Sequence, residues 1–354
     1  MKRIIIYLAC ACFCAGACQT KLDFTPETGP GTLRIAVAPA GAVSTKSVTE
    51  AVGKEDYLHD VQVFIFQSDG QLYQREVFPE NTSVRSLNGV KAGYYDLVAV
   101  ANAPAMTGIA TRSELEQQAI ALSLNQPDVG FVMYGVSESG VRVSGDSQTP
   151  TDVTIKLHRH VSRVRLTTVQ NKLPADCGAL KVESAFLING MGEWTLLGDM
   201  APSAYVNYAG RKKGRNLSSG ADDCIVSAAD AECGALTFQA PDHPVSSNST
   251  SDSFDLRFYC FPNPLSESAD HFSGATGEAV CARLVLRVSY GVPEEYWYYP
   301  VTLPEMARNT SYDVSYVISG PGTKDPNQRV SNSSLNVAVT VQDWGNGTNY
   351  QGEF

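Results

Sequence analysis

Along most of this chain apolar and polar residues alternate at a period of two in short runs, the pattern of half-buried strands. Thr32-Leu33-Arg34-Ile35-Ala36-Val37-Ala38 places Leu33, Ile35 and Val37 on one face. Val61–Phe66, Ser68-Asp69-Gly70 and Gln71-Leu72-Tyr73 predict a strand, a tight turn and a second strand. Gly93–Asn102 is apolar enough to be a central strand, and from Thr151 the alternation resumes through Val153, Ile155 and Leu157, then Val161, Val164 and Leu166. In the last quarter, Ser334–Gln342 puts Leu335, Val337, Val339 and Val341 on one face and Asn336, Ala338, Thr340 and Gln342 on the other. Gly320-Pro321-Gly322 and Asp325-Pro326-Asn327 stand upstream of it, turn chemistry expected to uncouple this strand from the body before it. Thr111-Arg112-Ser113-Glu114 has capping-box spacing and opens a short helix expected to carry Leu115, Ala119 and Leu122. Many short strands with one or two short helices predict an all-β chain of β-sandwich domains rather than βαβ units. The domain boundary is placed near residue 154, dividing 47–154 from 155–354.

Lys2-Arg3 followed by the apolar run Ile4–Ala11 is too short to span a bilayer and reads as a signal peptide over residues 1–17. Ala15-Gly16-Ala17-Cys18 has the spacing of a bacterial lipoprotein signal, which makes Cys18 the expected lipidated residue and the outer membrane the expected anchor of the precursor. Gln19–Pro30 is polar and contains Pro26, Gly29 and Pro30, a tether leading into the first strand. The stretch Ala40–Ser47 is small and flexible with one basic residue, Lys46, a natural site for a protease.

Composition narrows the partners. Net charge is −10 over 354 residues, but residues 1–46 hold five Lys/Arg and two acids, so the remainder carries 22 basic against 35 acidic residues, or −13. Such a surface repels nucleic acid and anionic lipid. Of nine cysteines, four lie in the leader, leaving Cys177, Cys224, Cys233, Cys260 and Cys281. Their contexts allow two disulfides among Cys224, Cys233, Cys260 and Cys281, with no connectivity implied. There is no thiolate spacing for zinc.

Candidate chemistry is sparse. His158-Arg159-His160 is the only histidine cluster, and on a strand both rings would share one face; without a neighbouring carboxylate or cysteine it reads as a solvated or interdomain strand rather than a metal site. Glu294-Glu295 beside Tyr296-Trp297-Tyr298-Tyr299 has the makings of a carbohydrate platform, although aromatic strands more often supply core and cross-strand pairs. No nucleophile elbow, phosphate loop, dinucleotide fingerprint or metalloprotease motif occurs, so no catalytic residue, cofactor or metal is expected and the chain does not read as an enzyme.

Arg308-Asn309-Thr310-Ser311-Tyr312-Asp313-Val314, Ile318-Ser319-Gly320-Pro321-Gly322-Thr323, Asp325-Pro326-Asn327, Leu335-Asn336-Val337 and Trp344 together form an ending that resembles the major fimbrial subunits (fimbrillins) of Bacteroidales, the lipoprotein-derived type V pilins. Val61–Phe66, Asn102 and Leu157-His158-Arg159 fall where fimbrillins carry similar segments, and residues 180–290 match loosely. The tail Gly345–Phe354 and the lysine at position 46, where the family has arginine, depart from the pattern. The resemblance implies two transthyretin-like β-sandwiches and a structural pilus subunit, of the stalk, that supports adhesion or biofilm formation. It also gives the two ends a joint meaning: cleavage after Lys46, before Ser47 (less favourably after Arg34), would remove residues 18–46 with the first strand, Leu33, Ile35 and Val37. The donor strand, about 333–344 with Leu335, Val337, Val339 and Val341, would then fill the vacated groove of another copy. The implied partners are further copies and the anchor and tip subunits, with surface glycans or proteins as receptors. Two alternatives are a tip adhesin of the same pilus and a monomeric glycan-binding surface lipoprotein.

Overall fold

The computed structural model describes residues 29–40, 55–80, 82–146, 148–196, 208–210, 233–247, 251–265, 281–291, 293–344 and 349–352. The signal peptide, Cys18, Lys46, Ser47 and Cys224 lie outside them. The first half contains β1 (Pro30–Pro39), β2 (Val61–Gln67), β3 (Leu72–Val77), β4 (Val84–Lys91), β5 (Gly93–Ala101), α1 (Arg112–Glu116), β6 (Ala119–Ala121), β7 (Met133–Val136), β8 (Val141–Val143) and β9 (Thr151–Arg159). The second contains β10 (Ser162–Asn171), β11 (Leu180–Ile188), β12 (Gly190–Met191), β13 (Glu193–Thr195), β14 (Tyr208–Ala209), α2 (Gly234–Thr237), β15 (Phe238–Gln239), β16 (His243–Val245), β17 (Asp252–Cys260), β18 (Arg283–Tyr290), β19 (Glu295–Thr302), β20 (Thr310–Ile318), β21 (Leu335–Asp343) and β22 (Asn349–Gly352). The fold is all-β with two short helices among the described residues, as the alternation predicts.

The first body is one sheet in the order β3-β2-β5-β7-β9-β1-β4, with β8 beside β5. It bends into two layers through β9, whose Leu157 and preceding residues pair with β1 while His158 and Arg159 pair with β7 on the other edge. Between the layers lie Leu33, Ile35 and Val37 of β1, Val61, Val63 and Ile65 of β2, and Val153, Ile155 and Leu157 of β9. The period of two in each segment produces this directly, since every second side chain faces inward. The second body stacks the sheet β17-β10-β20-β21-β22 on the sheet β15-β11-β18-β19, with β16 beside β11. The chain passes between bodies at the corner after Arg159, so residue 154 falls within β9.

A second core joins the bodies. Phe64 and Phe66 of β2, Val98 and Val100 of β5, and Phe131 turn away from the first core and belong to the same cluster as Val164, Phe258 and Tyr312 of the second body. That explains why β2 and β5 read as near-continuous apolar runs: both their faces are covered.

The capping box forms as predicted, with Thr111 Oγ1 accepting from the Glu114 amide at 3.2 Å and Glu114 Oε2 accepting from the Thr111 amide at 3.2 Å. The helix stops at Glu116, however, and does not reach Ala119 or Leu122. Ala119–Ala121 instead pair with β13 across the bodies, and cross-sheet pairing overrides local helical pattern. Because the two bodies share a core, they should unfold together. Phe131→Ala removes a fully buried ring and should cost about 3–5 kcal/mol. Urea titration followed by calorimetry should show one transition shifted as a whole, and two separated transitions with only one displaced would disprove the shared core.

Candidate assembly site

Strand β1 lies inside its sheet, antiparallel to β4 and parallel to β9. Leu33 and Ile35 have no exposed surface and Val37 has 3%. Burial of three such side chains stabilises by roughly 5–9 kcal/mol before ordering costs. Arg34 on the opposite face reaches Asp152 at 3.6 Å, a pair more than half exposed and worth little. The pairing ends where the Ala40 amide donates to the Leu157 carbonyl at 2.6 Å. The next amide on that edge of β9, Arg159 N–H, donates instead to Asn309 Oδ1 at 3.2 Å. The lane occupied by β1 therefore runs up to Asn309.

Strand β21 pairs with β20 along its whole length, from Leu335 opposite Ile318 to Asp343 opposite Thr310, and its outer edge is covered by β22 from Val339 to Gln342. Of its four aliphatic side chains only Val339 is buried, at 4% exposure; Leu335, Val337 and Val341 are half-buried. The strand is thus seated more shallowly in its own body than β1 is in its lane. The Gly-Pro-Gly loop before it is packed rather than loose, contrary to expectation. Thr323 bridges to Tyr298, and a Cβ added at Gly322 would lie 2.6 Å from the Tyr298 carbonyl oxygen, so only glycine allows the approach. That loop also covers much of the aromatic strip of β19. Lys324 Nζ lies 3.6 Å from the Trp297 ring centroid and bonds Glu295 Oε2 at 2.7 Å, and Tyr299 is fully buried, leaving Tyr296 as the one largely exposed ring.

Beyond the ends of β1 and β21 is a buried polar cluster that sequence reasoning missed. Glu55, 7% exposed, accepts Arg163 Nη1 at 2.7 Å and the Trp344 indole N–H at 3.2 Å on one oxygen. Its other oxygen accepts the Tyr259 hydroxyl at 2.7 Å and Arg257 Nη1 at 3.4 Å. Arg159 spends its donors on Asp56, the Glu55 carbonyl at 3.1 Å, Asn309 Oδ1 at 2.9 Å and the Trp344 carbonyl at 3.1 Å. The guanidinium carbons of Arg159 and Arg163 stand 4.5 and 4.6 Å from the Trp344 ring centroid, and Phe131 and Tyr259 pack on the same indole. Burial lowers the Arg159 pKa to about 10, which leaves it charged at neutral pH. Burial, and then the Glu55 charge, push the Tyr259 phenol well up, so it remains a donor. Asn309 adopts a left-handed φ of 54°, tolerable for asparagine, and so presents its side chain to Arg159 while its carbonyl accepts the Trp344 amide at 2.9 Å. Asn102 does the same in the first body at φ 56°, holding Tyr57, His59 and Phe131.

The histidine pair separates. β9 ends at Arg159, so His158 points out while His160 is buried beside Phe261, ring centroids 5.2 Å apart. No group of metal-binding side chains occurs among the described residues. The expected disulfides involving Cys260 do not form. Cys260 ends β17 and is a free, buried thiol 4.0 Å from Met306 Sδ, pushed up to about 12 by burial, while the Cys281 thiol donates to the Leu265 carbonyl at 3.6 Å. Cys233 precedes α2, its carbonyl accepting the Leu236 and Thr237 amides.

A family profile described as fimbrillin-A associated anchor proteins Mfa1 and Mfa2 matches residues 29–214, just over half of the 354. The chain belongs to this family. As a fimbrillin-type protein it is a structural component of a pilus, found in cell-surface fimbriae. No curated protein sequence matches it. The fold is similar to that of a candidate cell-adhesion protein of Bacteroides eggerthii, at 21% identity and TM-score 0.61 over 90% of this chain and 97% of that one. It is also similar to a fimbrilin (FimA) of Porphyromonas gingivalis, at 16% identity and TM-score 0.59 over 90% and 98%. The tip fimbrial protein Mfa3 of Porphyromonas gingivalis matches at 14% identity and TM-score 0.50 over 89% and 100%.

Removing the Glu55 carboxylate from this fimbrillin-type fold leaves buried guanidinium groups unmatched. Glu55→Ala should therefore cost about 3–5 kcal/mol in urea unfolding, whereas an exposed pair such as Arg34–Asp152 should change stability by less than about 1 kcal/mol when broken. Burial, then the nearby Arg308 charge, lowers the His160 pKa from its ordinary 6.5 to about 3. The unfolded chain takes up this proton near 6.5 and the fold resists until about 3, so stability is full above 6.5 and falls as pH drops through that window. The loss reaches about 2 kcal/mol near pH 5 and should be absent in His160→Gln, as read from urea midpoints across the pH range.

Proposed function

We propose that this chain is a stalk subunit that polymerises by strand exchange after proteolysis removes β1. The observation that carries the reading is the seating of β1: its inward face is wholly buried between two strands, so its loss opens two unpaired edges along an apolar groove. An open lane of this kind is a template for an added strand. β21 carries the matching pattern, and three of its aliphatic side chains moved into the places of Leu33, Ile35 and Val37 contribute about 5–9 kcal/mol before ordering costs. The contact is head-to-tail and does not close, so it propagates into a filament.

Export as a lipoprotein on Cys18 would deliver the subunit to the outer membrane. Cleavage after Lys46 fits better than cleavage after Arg34, whose backbone is paired on both sides, with Ser86 and with Asp152, and so is closed to a protease. Further copies, an anchor and a tip are its partners. A second reading is an anchor subunit, favoured by the description of the matching family. In that role the protein would keep its lipid.

The deciding experiment is the N-terminal sequence and mass of the protein in filaments sheared from its own host. A start at Ser47, together with SDS-resistant ladders that disappear in Lys46→Gln, is the expected result. Intact monomeric protein lipidated on Cys18 would overturn the stalk reading and leave an anchor or a glycan-binding lipoprotein.

A further inference from the structure

We propose that, in the assembled pilus, the Trp344 indole of an incoming strand occupies the Glu55–Arg159–Arg163 pocket of the recipient, replacing the recipient's own Trp344. This rests on the strand-exchange reading and specifies where its far end locks.

The pocket is formed for an indole and for little else. It offers a carboxylate oxygen to the ring N–H at 3.2 Å, guanidinium groups near the ring, and Phe131 and Tyr259 as aromatic walls. A subunit whose β21 has left to serve a neighbour vacates this pocket. Arg159 keeps Asp56, the Glu55 carbonyl and Asn309 but loses the Trp344 carbonyl and the ring, leaving a buried N–H without its acceptor, which is costly. The chemistry of a replacement is therefore dictated by what departs: an aromatic ring with an N–H and a following backbone carbonyl.

The lane of β1 leads to that pocket. Its last pairing is Ala40 to Leu157, and two residues on the edge of β9 reaches Arg159, held by Asn309, whose carbonyl now binds the Trp344 amide. A strand entering in the direction of β1 reuses each amide and carbonyl that β1 used on β4 and β9. With Val337, Val339 and Val341 in the places of Leu33, Ile35 and Val37, Trp344 falls in the place of Ala40, a buried position at the end of the lane. At the other end Leu335 would fall at Gly31, where an added Cβ would meet the Ser144 carbonyl oxygen at 2.0 Å. There the incoming chain leaves the path of β1 and turns toward its own subunit. Because the same indole contacts exist before and after exchange, the lock is regained in the filament, as in a domain swap.

The test uses full-length subunits processed and assembled as a one-to-one mixture of isotopically heavy and light protein. Trp344→p-benzoylphenylalanine and, separately, Val339→p-benzoylphenylalanine are irradiated in filaments, and the cross-linked peptides are weighed. Cross-links from position 344 to the Phe131 peptide, about half of them joining heavy to light, are the expected result. Cross-links from position 339 to the β9 peptide between chains, with position 344 linked only within its chain or elsewhere, would overturn this proposal and leave strand exchange standing. Absence of cross-links between chains at both positions would remove strand exchange and this proposal together. Should the substituted subunits fail to assemble, side-chain-resolved electron cryo-microscopy of unmodified filaments decides, from whether the indole in each pocket continues from the same chain or from its neighbour.

Discussion

The carboxylate of Glu55 sets the terms for the rest of the molecule. An ionised group that is 7% exposed persists only if paired and hydrogen-bonded. Its donors come from β10, from β17 and from Trp344 just past the end of β21, while Glu55 itself leads into β2 of the first body. All can be met only when the two bodies are docked and β21 lies in place. The Arg159 guanidinium repeats the constraint from the other side, joining the end of β9 to Asp56, Asn309 and Trp344. A large shared apolar cluster supplies the bulk of the attraction between the bodies, but it is non-directional. The charged cluster converts that attraction into one arrangement.

Much of the fold was legible because strand alternation is a local property. β1, β9, β10 and β21 follow where period-two runs place them, β2 and β5 where continuous apolar runs do, and the Thr111 cap starts its helix on cue. What alternation cannot tell is which neighbours a strand acquires. Nothing in Thr32–Ala38 says that β1 sits between two strands rather than at an edge, and nothing near Ala119 announces a partner in β13. Cysteine context likewise does not announce what each thiol meets: Cys260 lies against Met306 and Cys281 donates to the Leu265 carbonyl. Glu55 was illegible altogether. In Lys54-Glu55-Asp56 it reads as one of a run of solvated charges, and its partners lie 108, 202, 204 and 289 residues away. Trp344 was visible only as part of a resemblance to fimbrillins, without a role.

The unequal seating of the two strands is what gives strand exchange a direction. β1 buries its whole apolar face, whereas β21 in its own sheet buries one aliphatic side chain of four. Moving β21 into the lane of β1 takes Val337 and Val341 from half-buried to buried while Val339 stays buried, and the driving force therefore favours the filament. Yet while β1 remains part of the chain it competes as an intramolecular ligand, with an effective concentration in the millimolar range or above that a strand from another copy cannot match. Cutting the connection after Ala40 would not weaken a single contact of β1 with its lane; it would cancel that concentration advantage. The Glu55–Trp344 cluster then supplies the remaining barrier, because β21 cannot leave without breaking a buried hydrogen bond and uncovering two guanidinium groups. Assembly in this reading is gated by covalent chemistry at one end of the chain and by a buried ion cluster at the other, rather than by the affinity of the groove, which stays the same throughout.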